Sequence, residues 1–276
     1  VSTLYQNPLS SDRFGRQLAQ ALQDDGVQLA VANPVVQTTS LAVVALNDKG
    51  HPDYAFYREG VADRQITAAS MNAVCEANAQ LEIACTGCLA LDPADATHYL
   101  PWLTAQKAAG RWIVVDVNLR PSVMPDLAKY RQHVLEMAKL ADVLKASDED
   151  LAHLGIQGIT PLECAQHLLN HTSAKLLVLT LGEQGAWLIS SAGIRCFGRE
   201  TVHFAIADTV GAGDSFLAGL LAALLKQNFD ISSEQAIQKL LRHAIASASL
   251  CVQETGCVPP SWDQAQAWAI SHPLIF

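Results

Sequence analysis

The sequence is short of the features that mark membrane, secreted and nucleic-acid-binding chains. Its longest uninterrupted apolar run is the ten-residue FLAGLLAALL, Phe216 to Leu225, about half the length that a bilayer span needs. No basic stretch followed by an apolar one opens the chain, so neither a secretory leader nor a membrane partner is expected. Basic residues are scarce: 18 Lys and Arg stand against 27 Asp and Glu, a formal charge of -9. Phosphate backbones demand a basic surface, which argues against a nucleic-acid partner; a small anion needs only a local positive site. Cysteine is present seven times, an odd and scattered set that reads as reduced thiols in a cytoplasmic protein rather than a disulfide framework. Neither a G-x-G-x-x-G fingerprint nor a P-loop ending in G-K-[ST] occurs, and no internal repeat or low-complexity segment is found.

What is present fits a globular α/β protein. Half of the 276 residues are hydrophobic and 16% are charged, enough for a large core in one or two domains. SSDRFGRQLAQALQDDG offers a Ser cap and places Phe14, Leu18 and Leu22 on one helix face. TSLAVVAL and DYAFYRE flank NDKG, hairpin chemistry that predicts a small sheet projecting from the main body. Beyond it, apolar strand-like runs (LEIACTGCLAL, RWIVVDV, ADVLKAS, AKLLVLTLG, GAWLIS) alternate with helical ones, the first of which Pro101 is expected to interrupt. SDED and TPLE carry helix-start chemistry, a hydroxyl cap with an acid three residues on. Such alternation predicts a mostly parallel sheet covered on both faces. Ligands then gather outside the carboxyl ends of the strands, so the loops after VVDV, VLKAS, VLTLG and HFAIAD are expected to converge. The C-x-x-C at Cys85 and Cys88 has no second pair for zinc and no helix start for redox work, and reads as two buried strand cysteines.

The most pointed chemistry lies in DTVGAGDSF, Asp208 to Phe216. Two glycines permit a tight turn with exposed amides, and the helix that follows aims its unpaired N–H groups at that turn. Such a start attracts phosphate or the charge on a phosphoryl group in flight. Asp214 beside those donors can take a proton from a hydroxyl that attacks phosphorus. Taken alone, Gly-x-Gly-Asp reads equally well as an ordinary helix cap.

The whole run resembles the C-terminal signature of the ribokinase-like sugar kinases, the phosphofructokinase-B family. TLGEQGAW, Thr180 to Trp187, is similar to the family's T-x-G-x-x-G nucleotide stretch. VDVNLRP, Val115 to Pro121, and YAFYREGVAD, Tyr54 to Asp63, resemble the D-x-N-x-R-P run and lid strand of fructokinases and 2-keto-3-deoxygluconate kinases. The likeness runs from about Leu9 to Pro259 with the motifs in order.

The resemblance implies a three-layer α/β/α sandwich with a mostly parallel central sheet and a small β-sheet lid. Residues 1–36 and 65–276 would form the nucleotide- and substrate-binding body, and 37–64 the lid hairpin. Asp214 would be the catalytic base, with Gly211, Ala212 and Gly213 as the anion hole. Thr180, Gly182 and Gly185 would line the ATP site, with Ser147 beside them. Arg58, Asn118 and Arg120 would contact the substrate, Arg58 otherwise being a solvated lid charge. Asp208 and Val210 correspond to positions where relatives bind a monovalent cation, so K+ joins ATP and Mg2+ among the expected cofactors. His243, on the helical tail, reads as a structural histidine.

The chain departs from the family's pattern in three places. Ser147 and Asp150 stand where relatives often carry Asn-x-x-Glu, and Ile245 stands where some carry an adenine-contacting Asn. The family's opening strand, sugar-binding lid Asp and Gly-Gly…Asn segment are not found, and VSTLY reads as the strand that follows them. The implied activity is transfer of the γ-phosphoryl group of ATP to a sugar hydroxyl, with fructose first. A 2-keto-3-deoxygluconate kinase and a non-catalytic nucleotide- or sugar-binding protein are the alternatives. An exposed lid hairpin is an edge that needs cover, which predicts a homodimer through the lid.

Overall fold

The computed structural model describes residues 1–46 and 52–274. The chain divides into two compact units. The first comprises Val1–Ala84, Leu89–Arg111 and Arg120–His133, and the second Cys85–Cys88, Trp112–Leu119 and Val134–Phe276.

The first unit opens with strand β1 (Leu4–Tyr5), helix α1 (Arg13–Asp24) and strand β2 (Gln28–Leu29), which pairs with β1 in parallel. Strands β3 (Leu41–Leu46) and β4 (Pro52–Tyr57) pair as an antiparallel ribbon. The NDKG turn expected between them lies outside the described residues. Helices α2 (Ala68–Ala77) and α3 (Ala96–Ala108) pack on each other. Helix α3 runs through Pro101 instead of stopping there, at the loss of one ladder hydrogen bond.

The Ser cap expected of α1 is not the one found, while Phe14, Leu18 and Leu22 keep their four-residue spacing within one helix. Its cap is Asp12, whose carboxylate accepts the Gly15 N–H at 2.8 Å together with the Thr39 N–H at 2.8 Å and hydroxyl at 2.7 Å. A serine hydroxyl could not hold all three, and these bonds keep the Asp12 carboxyl well below the usual range. The helix buries Gly15, where a Cβ would overlap the Ser10 carbonyl. Close approach on that side turns Phe14 and Leu18 outward, about half exposed.

The second unit holds most of a six-stranded sheet in the order β10-β9-β8-β7-β6-β5. The strands are β5 (Ile83–Gly87), β6 (Trp112–Asp116), β7 (Val143–Ser147), β8 (Leu176–Thr180), β9 (Ala186–Ser190) and β10 (Arg195–Gly198). Strands β6, β7 and β8 run parallel, and β9 and β10 return antiparallel at one edge. Ile113, Val114, Val115, Leu144, Leu177 and Leu179 are fully buried. That is why these strands read as continuous apolar runs rather than alternating ones. Each such side chain contributes roughly 1.5–3 kcal/mol by leaving water.

Helix α4 (Leu127–Ala138) leads into β7, and α5 (Asp148–Leu154) and α6 (Pro161–Asn170) follow it. Thr160 and Glu163 form the capping box that the TPLE spacing predicts. Helices α7 (Ala212–Lys226), α8 (Glu234–Cys251) and α9 (Trp262–Ser271) complete the unit, with α8 packed on α7, α9, β9 and β10. Among the described residues no helix is long and apolar enough to cross a membrane.

HFAIAD is not a strand. Its last two N–H groups, those of Ala207 and Asp208, both turn to the Val252 carbonyl at 2.8 and 3.3 Å instead of joining a ladder. The C-x-x-C expectation is also overturned. Cys85 is exposed on β5, and Cys88 has left the strand for a 3-10 turn with φ +54°.

Candidate active site

The sheet's register places the residues of interest before any side chain is considered. Ser147, the last residue of β7, lies opposite Thr180, the last of β8. Two residues earlier Lys145 lies opposite Asp116, the last of β6. Alternation along β7 puts Lys145 and Ser147 on the same face.

Lys145 and Asp116 form a buried ion pair: Nζ donates to both carboxylate oxygens, at 2.8 and 2.9 Å, with both side chains under a tenth exposed. Burial pushes the Asp116 carboxyl up, the Lys145 ammonium pulls against it, and the charges of Asp150 and Asp214 add to the rise. Strand β5 passes so close that a Cβ on Gly87 would sit 2.2 Å from the Asp116 carbonyl oxygen. Cys85 shares this environment. Its residue reaches solvent, yet protein crowds its thiol on most sides. Desolvation and the Asp116 charge, opposed by Lys145, push the thiol up to about 12.

The start of α7 stands over this pair. Gly211 caps the helix in the left-handed region at φ +79°, and a Cβ there would also strike the Cys257 sulfur. A Cβ on Gly213 would lie 3.4 Å from the Lys145 Nζ, so an ammonium sits directly behind the turn. The Ala212 N–H donates to the Thr209 carbonyl at 3.3 Å. Among the described residues the N–H groups of Gly211, Gly213 and Asp214 meet no protein acceptor. Asp214 is exposed in the first helical turn. Asp208 spends one oxygen on the Val210 N–H and the other on the Gly256 N–H, each at 3.0 Å, and these bonds hold its carboxyl below the usual range.

SDED is a capping box in which Ser147 Oγ accepts the Asp150 N–H at 3.0 Å and Asp150 accepts the Ser147 N–H at 2.8 Å. The second Asp150 oxygen accepts the Leu119 N–H at 2.7 Å. The acid thereby ties the end of β7 to the segment after β6, where Asn118 takes φ +33°, a conformation that asparagine tolerates better than most residues. Thr180 ends β8, and Gly182 and Gly185 shape the turn into β9. Gly185 holds φ +109°, and a Cβ there would lie 2.3 Å from the Gly198 carbonyl.

Arg58 and Arg120 belong to the first unit. Arg58 is not a solvated lid charge: its guanidinium donates to Asp92 at 3.1 Å and to the Leu89 carbonyl at 2.8 Å, with a side chain 11% exposed. Arg64 reinforces this network through Asp95 at 2.9 Å. The Arg120 backbone N–H meets the Tyr130 hydroxyl at 3.4 Å, and its side chain is half-buried.

No motif pointed to Lys145 or to its pairing with Asp116, and the C-x-x-C motif gave Cys85 a different setting. The available signal was a lone charge inside an apolar strand run, in VVDV and again in VLKAS, which burial makes untenable without a partner. Among the described residues no three His, Cys, Asp or Glu side chains are grouped to hold a metal ion.

A glycine-capped helix start, an exposed carboxylate and a buried lysine–aspartate pair thus stand together at the carboxyl ends of central strands in an α/β protein. The sequence matches the description "pfkB family carbohydrate kinase" over residues 1–264, and the chain belongs to that family. It is 33% identical over 231 residues to a fructokinase of Rhizobium leguminosarum bv. trifolii, covering 83% of this chain and 68% of the relative. Its fold is ribokinase-like. The crystal structure of a fructokinase with bound ATP from Xylella fastidiosa matches 97% of this chain and 85% of that one, with a TM-score of 0.83 and 24% identity. A Vibrio cholerae O395 fructokinase in its fructose, ADP and calcium ion bound form matches 98% and 85%, with a TM-score of 0.76 and 23% identity.

Proposed function

We propose that this carbohydrate kinase transfers the γ-phosphoryl group of ATP to a hydroxyl of fructose. The observation that carries the reading is the α7 start, where the unengaged N–H groups of Gly213 and Asp214 flank the Asp214 carboxylate with Lys145 behind them. Asp214 takes the proton of the attacking hydroxyl as its oxygen bonds to the γ-phosphorus, the bond from that phosphorus to the bridging oxygen breaks, and ADP leaves. The amides of Gly211, Gly213 and Asp214 hold the oxygens of the phosphoryl group in flight, and the Lys145 ammonium strengthens that field. Thr180, Gly182, Gly185 and Ser147 border the nucleotide, and Arg58, Asn118 and Arg120 serve the sugar and the transferring phosphate.

Magnesium would enter with the nucleotide's phosphates and supply charge neutralisation there; among the described residues no three carboxylates are grouped to hold it. The ordered Asp208–Val210 turn supports a potassium site built partly from backbone carbonyls. Residues 37–64 serve as a lid. The exposed Leu41, Val43 and Tyr57 on its ribbon support pairing of two chains through that surface. The free cysteines support work in the reducing cytoplasm.

The test is ADP release from ATP and magnesium across a panel of fructose, other ketoses and 2-keto-3-deoxygluconate. Fructose is expected to give the highest kcat/KM. Asp214→Asn should cut kcat by orders of magnitude while nucleotide still binds, and near-normal turnover in that variant overturns the assignment. Sugar binding without turnover by the unaltered protein would favour a binding protein instead.

A further inference from the structure

The C-terminal end of α7, the middle of α8 and the length of α9 frame a groove of about 480 Å3 that phosphoryl transfer does not use. Its walls carry Lys226, Lys239 and Arg242, and no Asp or Glu lines it. In a chain of charge -9 that is a local inversion of sign. Among the described residues none of the three cations forms a salt bridge to a carboxylate. Lys226 lies over the Trp262 ring at 4.5 Å, and Arg242 reaches only the Ile270 carbonyl, at 3.5 Å. Asp230 feels Lys239 from outside the lining, where Ser232 engages its carboxylate.

The floor of the groove is His243, 4% exposed and stacked on Trp262 with ring centroids 3.9 Å apart. Its Nδ1 is buried without a hydrogen-bond partner, and so is Nε of Arg242. Burial lowers the imidazole's proton affinity, Gln266 opposes it, and Lys226 adds to the lowering. Buried polar atoms are nearly always satisfied, and these two unpartnered ones belong to residues that line the groove.

We propose that this groove binds a compact dianion, the phosphoryl group of free phosphate or of a sugar phosphate. Lys239 and Arg242 provide charge-assisted hydrogen bonds to its oxygens. Lys226, held by Trp262, closes the ring of charge.

The experiment is calorimetric titration of the whole chain with inorganic phosphate, and separately with fructose 6-phosphate, in chloride buffer. Wild type is compared with Lys239→Glu/Arg242→Glu and with the milder Lys226→Ala. Charge-assisted hydrogen bonds lost in pairs predict a fall in groove affinity of about tenfold or more in the double variant. Its melting temperature and basal turnover should stay near wild type. Gly213→Ala, which perturbs the α7 start, should leave the same binding intact. Tighter binding of the sugar phosphate identifies an ester ligand, and equal binding identifies the free anion. Titration curves unchanged in both groove variants, or binding abolished by Gly213→Ala alone, overturn the proposal.

Discussion

Replacing Lys145 with methionine removes half of a charge pair that water barely reaches. The ammonium holds both Asp116 oxygens at 2.8 and 2.9 Å, and neither side chain is more than a tenth exposed. Breaking such a pair strands the remaining carboxylate and costs about 3–5 kcal/mol. At about 2–4 °C per kcal/mol for a chain of this order of size, the melting temperature should fall by about 6–20 °C. Removing both charges, as Lys145→Met with Asp116→Leu, leaves nothing stranded and should recover most of the loss. The single variant carries a further signature. Without Lys145 nothing offsets the burial that raises the Asp116 carboxyl, so its folded pKa lies well above its unfolded one. The folded state then binds the extra proton, and stability falls as pH rises from the unfolded pKa through the raised folded one. The deficit should therefore be smaller near pH 5 than near pH 8. Urea unfolding at both pH values, followed by circular dichroism, reads the midpoint and slope. A single variant within about 1 kcal/mol of wild type, or a double variant as weak as the single, refutes the burial argument.

Gly87→Ala should cost about 1–3 kcal/mol in the same assay, because its Cβ meets backbone that has no rotamer to change. Asp12 contributes stability that is present above its ordinary pKa of 3.8 and lost as pH falls below it. Asp12→Ala should accordingly be less stable than wild type near neutrality, with the gap closing in acid unfolding. Cys85 should alkylate slowly with iodoacetamide at about pH 8 despite its exposure, since the thiolate is the nucleophile and its thiol is pushed up to about 12. Peptide mass spectrometry showing it to be the fastest of the seven thiols would refute that.

The legible parts of the chain were those whose physics is local. A hydroxyl cap, a proline and an acid three residues on sufficed for α6, and two glycines before an acid located the turn at α7. Buried parallel strands announced themselves as apolar runs because both faces are covered. What stayed hidden depends on residues far apart in sequence. The Asp12 cap draws on Thr39, and the Leu119 anchor draws on Asp150. Cys85 read as buried because its neighbours in sequence are apolar, although its neighbours in space are charged. HFAIAD had a strand's composition, and Val252 captured its amides.

The pairing of Lys145 with Asp116 also bears on how the sheet assembles. The two are direct cross-strand partners, so only one alignment of β7 against β6 brings the ammonium to the carboxylate. A slip by one residue would turn Lys145 to the opposite face and bury two unlike charges apart. Slips of two would keep the face and still leave both unmatched among Val114, Val115 and Leu144. The apolar residues on either side are close to interchangeable and discriminate poorly between such alignments. The charge pair thus acts as a proofreading device for strand register, rejecting misaligned sheets at the place where the site's geometry tolerates them least.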